Sequence, residues 1–375
     1  MPVSEPIRSG ILGKLANMLP RVNGRGLFNP IGTSLNFTNK CPANCSICLE
    51  NANKKSYKSY TIEETVDILR QIDALNLGKA KRSLHLWGGE PFLERELLFG
   101  IIQEADKLGF KEIDIATNGY WGKNFAEARK TLSDLCEKVK TAQLALEISC
   151  DYIHQSQDIL NPASPANIIF LAKKEFPKIQ ISINSLFLDS FQSLRDMASA
   201  ISAINPGKTK AFFDDAEYLG FYYSQTTECQ VSDSFKEIPL GILPVSLSGR
   251  YDSRLSSHFG CTTIQPQEIA SLDRLIKQHI SIGIDRQMYL NLFMSSPEIL
   301  PMGSIHEFTL GELIERAEMD PIAISLMRHG YSELYPHLSK LFDFDTWIKQ
   351  FYADYDILQG LEVDTPCLKS KAQVI

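Results

Sequence analysis

One alternation runs through most of the first half of the chain. Between Ser34 and about Phe213, short runs rich in β-branched and aromatic residues take turns with amphipathic stretches of helical period. The strand-like runs are "SLNFT" (34–38), "SLHLW" (83–87), "EIDIAT" (112–117), "LALEIS" (144–149), "IQISIN" (179–184) and "KAFFD" (210–214). Between the first two lies "TIEETVDILRQIDAL", where Thr61 is placed to cap a helix and Glu64, three residues on, to complete a capping box. Six βα units in series imply an α/β fold with a parallel sheet, because right-handed crossovers return each strand beside the last. The expected architecture is a partial (β/α)6 TIM-like barrel with helices outside and ligands at the C-terminal strand ends.

Length and composition agree with a large domain plus an appendage. The chain has 375 residues, 44% hydrophobic and 22% charged, which is ordinary globular material. A net charge of −7 gives no electrostatic reason to expect nucleic acid or an anionic membrane as partner. Pro2, Glu5, Pro6 and Pro20 interrupt the apolar start before a secretory or membrane-spanning segment forms, so the cytoplasm is the expected compartment. The division expected is an N-terminal extension (1–29), the barrel (30–225), a Ser-, Gly- and Pro-rich linker (226–279) and a smaller α+β domain (280–375).

Three of the eight cysteines, Cys41, Cys45 and Cys48, crowd one loop directly after the first strand. In a reducing compartment such clusters read as metal or redox ligands rather than disulfides. Structural zinc wants four closed ligands, and no fourth Cys or His follows at a conventional short spacing. Three thiolates suit a [4Fe–4S] cluster with one iron open, with a zinc knuckle or incidental thiols as the alternative.

Other strand ends carry chemistry too. "WGGEPFL" follows the second strand: Gly88 and Gly89 admit close backbone approach, and Glu90 offers an anionic acceptor for an ammonium group. The third strand ends in "ATNGYWG" and the fourth in "ISCDYIH", placing Thr117, Asn118, Ser149 and Asp151 where ribose hydroxyls or a carboxylate can be held; turn and cap chemistry is the plainer reading of each. Alternation then turns Cys150 toward the helices, as core. His154, one turn beyond Asp151, is a candidate for substrate contact or proton relay, and mid-strand His85 reads as a buried, satisfied histidine.

The spacing C-x3-C-x2-C after the first strand, with Gly-Gly-Glu-Pro after the second, resembles the radical S-adenosylmethionine (SAM) superfamily. That resemblance implies a [4Fe–4S] cluster on Cys41, Cys45 and Cys48, with SAM chelating the open iron. It further implies SAM contacts at Ile47, Gly88, Gly89, Glu90, Asn118, Ser149 and Asp151, and a flavodoxin or ferredoxin as reductant. "GIDRQMYLNLF" and the segment from Gly303 resemble the SPASM or twitch extension of peptide-modifying members. Asp285 and Tyr289 fit that pattern; Arg286 stands where glycine is usual, Asn291 where a cysteine is, and Gly303, Ser304 and Ile305 replace Gly-Asn-Ile. The resemblance therefore implies one cluster, a degenerate extension, and a ribosomally made peptide or else a small molecule as substrate. Cys261 and Cys367 are candidate hydrogen-atom donors, against the plainer reading of buried inert thiols.

Overall fold

The computed structural model describes residues 24, 27–28, 30, 32–45, 48, 50, 52–75, 82–157, 159–186, 190–214, 218–223, 235–243, 279–290 and 301–329. The chain divides into two compact units, Gly32–Arg250 and a second made of Met1–Ile31 with Tyr251–Ile375.

In the first unit, strands β1 (Gly32–Thr38), β2 (Ser83–Gly88), β3 (Glu112–Thr117), β4 (Gln143–Ser149) and β5 (Ile179–Leu186) pair in parallel, each with the next. Helices α1 (Ile62–Ala74), α2 (Arg95–Lys107), α3 (Phe125–Lys138), α4 (Tyr152–Gln155), α5 (Ala163–Glu175) and α6 (Ser190–Ile204) fill the connections. Thr61 and Glu64 close the expected capping box at the start of α1. Strand alternation sorts the sheet's two faces. Leu35, Phe37, Leu84, Leu86, Ile113, Ile115, Leu146 and Ile148 are buried, and so are the inner faces of the helices at Ile68, Leu98, Ile101, Leu132 and Ile168. Each such side chain contributes about 1.5–3 kcal/mol by leaving water. The other face is polar, with Ser34, Asn36, His85, Asp114, Glu147 and Asn184 at alternate positions.

On that polar face His85 of β2 and Glu147 of β4 come within 3.5 Å over the intervening β3.

The sixth parallel strand differs from expectation. Residues 210–214 lie in β6 (Thr209–Asp214), which pairs antiparallel with β7 (Tyr218–Tyr223) at the end of the sheet. β7 pairs antiparallel with β8 (Phe235–Leu243), and β8 takes the parallel place beside β5. The stretch 226–279, expected as a linker, thus contains a strand of the barrel. Pro239 and Gly241 gave "FKEIPLGIL" the look of a turn. In the structure the parallel ladder begins at Leu240, one residue past the proline that has no N–H to give.

In the second unit β9 (His279–Ile282), β10 (Gln287–Leu290) and β11 (Pro301–Ser304) form an antiparallel ladder followed by α7 (Leu310–Ala317) and α8 (Pro321–His329). The expected strand pair around Asp285 and Tyr289 is therefore present, and the Tyr289 hydroxyl donates to Asp285 at 2.5 Å. Arg286 occupies the tight turn at φ 65°, the left-handed region where glycine is ordinarily preferred. Thr309 and Glu312 form a second capping box on α7.

Candidate functional site

The cysteine loop is pinned from below by the two glycines after β2. Gly89 N–H donates to the Thr38 carbonyl at 2.7 Å and Glu90 N–H to the Lys40 carbonyl at 2.8 Å. Gly88 has φ 147°, and a β-carbon there would meet Thr38 O and lie 2.7 Å from Asn36 Oδ1; one on Gly89 would press into the carbonyl of Lys40. The glycines are thus required by the close approach of the chain's own backbone where it enters the loop.

Glu90 is fully buried and binds across strand ends. Its Oε1 accepts from Phe92 N–H at 3.1 Å and the Thr117 hydroxyl at 2.8 Å, and Oε2 accepts from Asn118 N–H at 2.7 Å. Burial pushes its carboxyl up to about 7, even though those three donors and nearby His154 pull the other way. The expected ammonium acceptor is first of all a buried tie between β2 and β3. Trp121 completes the tie: its Nε1–H donates to Thr117 Oγ1 at 3.2 Å while its ring packs on Phe92 at 4.6 Å. Burial and the Glu90 charge push the Tyr120 hydroxyl, which donates to Phe92 O at 3.2 Å, up to about 12.

Cys41 and Cys45 are buried and Cys48 is partly exposed. Asn118 Nδ2 lies 3.8 Å from Cys41 Sγ, and Ala52 N–H donates to Cys48 Sγ at 3.2 Å. N–H donors aimed at sulfur are what a metal-bound thiolate accepts. Among the described residues no group of three His, Cys, Asp or Glu side chains is gathered tightly enough to hold a single metal ion. The donor chemistry, three thiols on one loop with amide donors on two of them, nevertheless fits a thiolate-held iron–sulfur cluster. Asn118, expected to hold a ribose hydroxyl or a carboxylate, has its Nδ2 toward Cys41, and its Oδ1 accepts Tyr120 N–H at 3.0 Å.

At the end of β4, Asp151 is buried and engages His154 twice: Oδ1 accepts the His154 backbone N–H at 2.9 Å and Oδ2 lies 2.7 Å from Nδ1. Burial pulls the His154 imidazole down, but Asp151, aided by Glu90, outweighs it and raises the pKa above its ordinary value. Asp151 is therefore both a cap and the orienting partner of His154. Ser149 is partly exposed at the end of β4, in register with Asn184. Cys150 is buried against α6, its Sγ 3.8 Å from Ser193 O, and burial pushes its thiol far up, as suits a core residue. Ile47, Cys261, Cys367 and Asn291 lie outside the described residues.

Sequence reasoning missed Asn36 and Glu50. Asn36 Nδ2 donates to the Glu50 carboxylate just past the cysteine loop, while Asn36 Oδ1 has no hydrogen-bond partner among the described residues. The available clue was an amide side chain between Leu35 and Phe37 in the first strand.

Residues 35–168 match the family model described as the Radical SAM superfamily. A probable GTP 3′,8-cyclase of Methanothermobacter thermautotrophicus is 23% identical over 205 residues, covering 48% of this chain and 59% of that relative, less than two thirds of its length. Among solved structures, Streptococcus suis SuiB bound to precursor peptide SuiA is similar at TM-score 0.49 with 14% identity, covering 86% of this chain and 70% of that one. Another, anSMEcpe with bound AdoMet, is similar at TM-score 0.47 with 14% identity, covering 79% and 84%. No helix among the described residues is long and apolar enough to cross a membrane.

Proposed function

On the premise that residues 35–168 form a radical SAM domain, we propose that the chain cleaves S-adenosylmethionine reductively at a [4Fe–4S] cluster and abstracts a hydrogen atom from a bound substrate. The observation that carries this reading is the fastening of Thr38 and Lys40, where the chain enters the three-cysteine loop, to the Gly88–Gly89–Glu90 turn. When bound, the cluster and SAM supply a 5′-deoxyadenosyl radical, chemistry that belongs to the cofactors.

The chain's own residues do the rest. Cys41, Cys45 and Cys48 would hold the cluster, and Asn118 directs its amide at the first of them. Glu90 fixes the ends of β2 and β3, so that the Gly88–Gly89 backbone presents a rigid edge to the SAM ammonium. Ser149 at the end of β4 is open to a hydroxyl or carboxylate of SAM. His154, oriented by Asp151, holds a proton at Nδ1 for exchange with substrate or solvent. A flavodoxin or ferredoxin is the proposed electron donor, and the cytoplasm the proposed compartment.

A ribosomally made peptide is the proposed substrate, supported by the likeness of residues 283–305 to a degenerate SPASM or twitch extension. The 23% identical probable GTP 3′,8-cyclase favours the second reading, a small-molecule substrate. Cys261 and Cys367 remain proposed hydrogen-atom donors; unchanged products from both alanine variants would remove them.

Iron and sulfide counting on anaerobically purified protein, followed by SAM and dithionite, tests the reading. Four irons per chain and release of 5′-deoxyadenosine are expected, both lost in the Cys41/Cys45/Cys48 triple alanine variant. Stoichiometric zinc without deoxyadenosine overturns it.

A further inference from the structure

The segment that leaves the cysteine loop carries positive charge and an exposed ring, and it is built against the loop. Ala52 N–H donates to Cys48 Sγ, and Cys48 is the partly exposed member of the three thiols. A tight turn follows, in which Ser56 N–H donates to Asn53 O at 3.0 Å and Asn53 Oδ1 accepts Lys55 N–H at 2.8 Å. The end of β1 takes the returning chain. Asn39 N–H donates to Lys58 O at 3.0 Å, Asn39 Oδ1 accepts Lys58 N–H at 2.9 Å, and the Thr38 and Ser59 hydroxyls lie 2.9 Å apart. Backbone bonds thus fix the segment while Lys54, Lys55, Tyr57 and Lys58 stay exposed.

Charge and apolar surface coincide here. The chain carries a net charge of −7, yet residues 52–58 hold three lysines and no carboxylate. Of the carboxylates nearest in sequence, Glu50 accepts from Asn36, Glu64 from the Thr61 N–H, and Glu94 pairs with Lys40 at 2.5 Å. Only exposed Glu63 is left to oppose the three lysines. Among the described residues of the first unit, the exposed large apolar side chains are Tyr57 (77%), Leu93 (38%) and Ile62 (37%). All three belong to the stretches that follow β1 and β2: Tyr57 and Ile62 flank Tyr60, whose N–H donates to Phe37 O, and Leu93 N–H donates to Glu90 O. An aromatic anchor with a charged rim is the composition of a protein-docking surface.

Resting on the radical SAM reading above, we propose that Lys54, Lys55, Lys58 and Tyr57 form the landing surface for a small acidic electron-carrier protein, which delivers its electron past Cys48. An acidic carrier is repelled by most of a chain of this net charge and attracted to this patch, so the lysines choose its orientation as well as its place. Tunnelling falls steeply with distance, and Cys48 is where the thiol loop comes nearest to solvent. In the transfer the carrier is oxidised by one electron and the cluster reduced by one; no bond forms or breaks. A small patch suits the weak, transient complexes that electron carriers make.

Calorimetric titration of the anaerobically purified, full-length holoprotein with oxidised flavodoxin tests the surface without calling on turnover. Expected are binding that weakens as salt is raised, about tenfold weaker binding when Lys54→Ala, Lys55→Ala and Lys58→Ala are combined, and about fivefold weaker binding in Tyr57→Ala with the salt dependence kept. These side chains are exposed, and iron content equal to wild type confirms that the loop is intact. In rapid mixing, the triple variant should be reduced about tenfold more slowly than wild type by reduced flavodoxin, and at the wild-type rate by dithionite, which needs no docking. Equal flavodoxin affinity in wild type and the triple variant overturns the proposal. So does octaglutamate binding as tightly as flavodoxin, which would make the patch a site for acidic peptide, and so does a triple variant slowed equally with dithionite. Failure of dithionite and SAM to release 5′-deoxyadenosine from wild type defeats the radical reading instead, and the binding of oxidised flavodoxin is scored independently of it.

Discussion

Glu90 Oε2 accepts the backbone N–H of Asn118 at 2.7 Å, joining the end of β2 to the end of β3 inside a site from which water is excluded. Replacing Glu90 by alanine strands that N–H, the Thr117 hydroxyl and the Phe92 N–H together. The expected loss is about 2–4 kcal/mol, the cost of unsatisfied buried donors. Urea midpoints at an unchanged denaturant slope measure it.

The same residue gives the protein a pH signature. Its carboxyl moves from 4.5 to about 7 on folding, so the native state keeps a proton that the unfolded chain has released. Stability therefore falls as pH rises between those values, by roughly 3 kcal/mol for the full shift. The His154–Asp151 pair acts in the same direction: its contribution is complete below the ordinary histidine value of 6.5 and disappears as pH passes the raised native value. Thermal midpoints should be higher at pH 5.5 than at pH 8, and Glu90→Gln should shrink the difference. A flat profile in wild type contradicts the assignment.

Gly89→Ala tests how the cysteine loop is positioned. A methyl there meets the Lys40 carbonyl, which is backbone and cannot rotate aside. The variant should fold with a lowered midpoint and retain less than half the wild-type iron after reconstitution, roughly, since misplacing ligands by about 1 Å is enough to weaken a metal site. Full iron occupancy would show that the contact does not set the loop.

Asp106, at the end of α2, is a purely structural counterpart. Its carboxylate accepts from Lys140, Thr141 and Ala142 N–H and from the Thr141 hydroxyl, all within 3.0 Å, which anchors the approach to β4. Burial alone would raise its pKa, but these donors hold it below the ordinary 3.8. Asp106→Ala should cost about 2–4 kcal/mol at neutral pH. In the wild type this contribution is present above pH 3.8 and fades on further acidification. Comparing denaturation of the two proteins at pH 7 and pH 3 checks both statements.

What the sequence made legible was local. The first five strands, the Thr61 capping box, the glycine turn and the inward burial of Cys150 all follow from alternation, caps and spacing, which act within a few residues. Contacts made across the sheet were not legible. Nothing near His85 announces Glu147, because their meeting depends on β2 and β4 flanking β3 in one parallel sheet. Asn118 and Glu90 were read correctly as polar groups at strand ends, but their partners are set by the third dimension: Cys41 for the first, Asn118 and Thr117 for the second. β8 was hidden for a different reason, since Pro239 and Gly241 carry turn chemistry, while in the sheet the ladder to β5 begins just past the proline, at Leu240.

β8 belongs to two pairings at once, parallel to β5 and antiparallel to β7. During folding, Ile183 cannot find Leu240 until the intervening chain has gone out through α6 and back through the β6–β7–β8 meander, so this pairing closes the longest loop between neighbouring parallel strands of the barrel. The edge of the barrel is consequently its late-forming part. A weakened β7 should slow the rate-limiting step of folding while leaving the β1–β4 sheet, which carries the cysteine loop, already assembled.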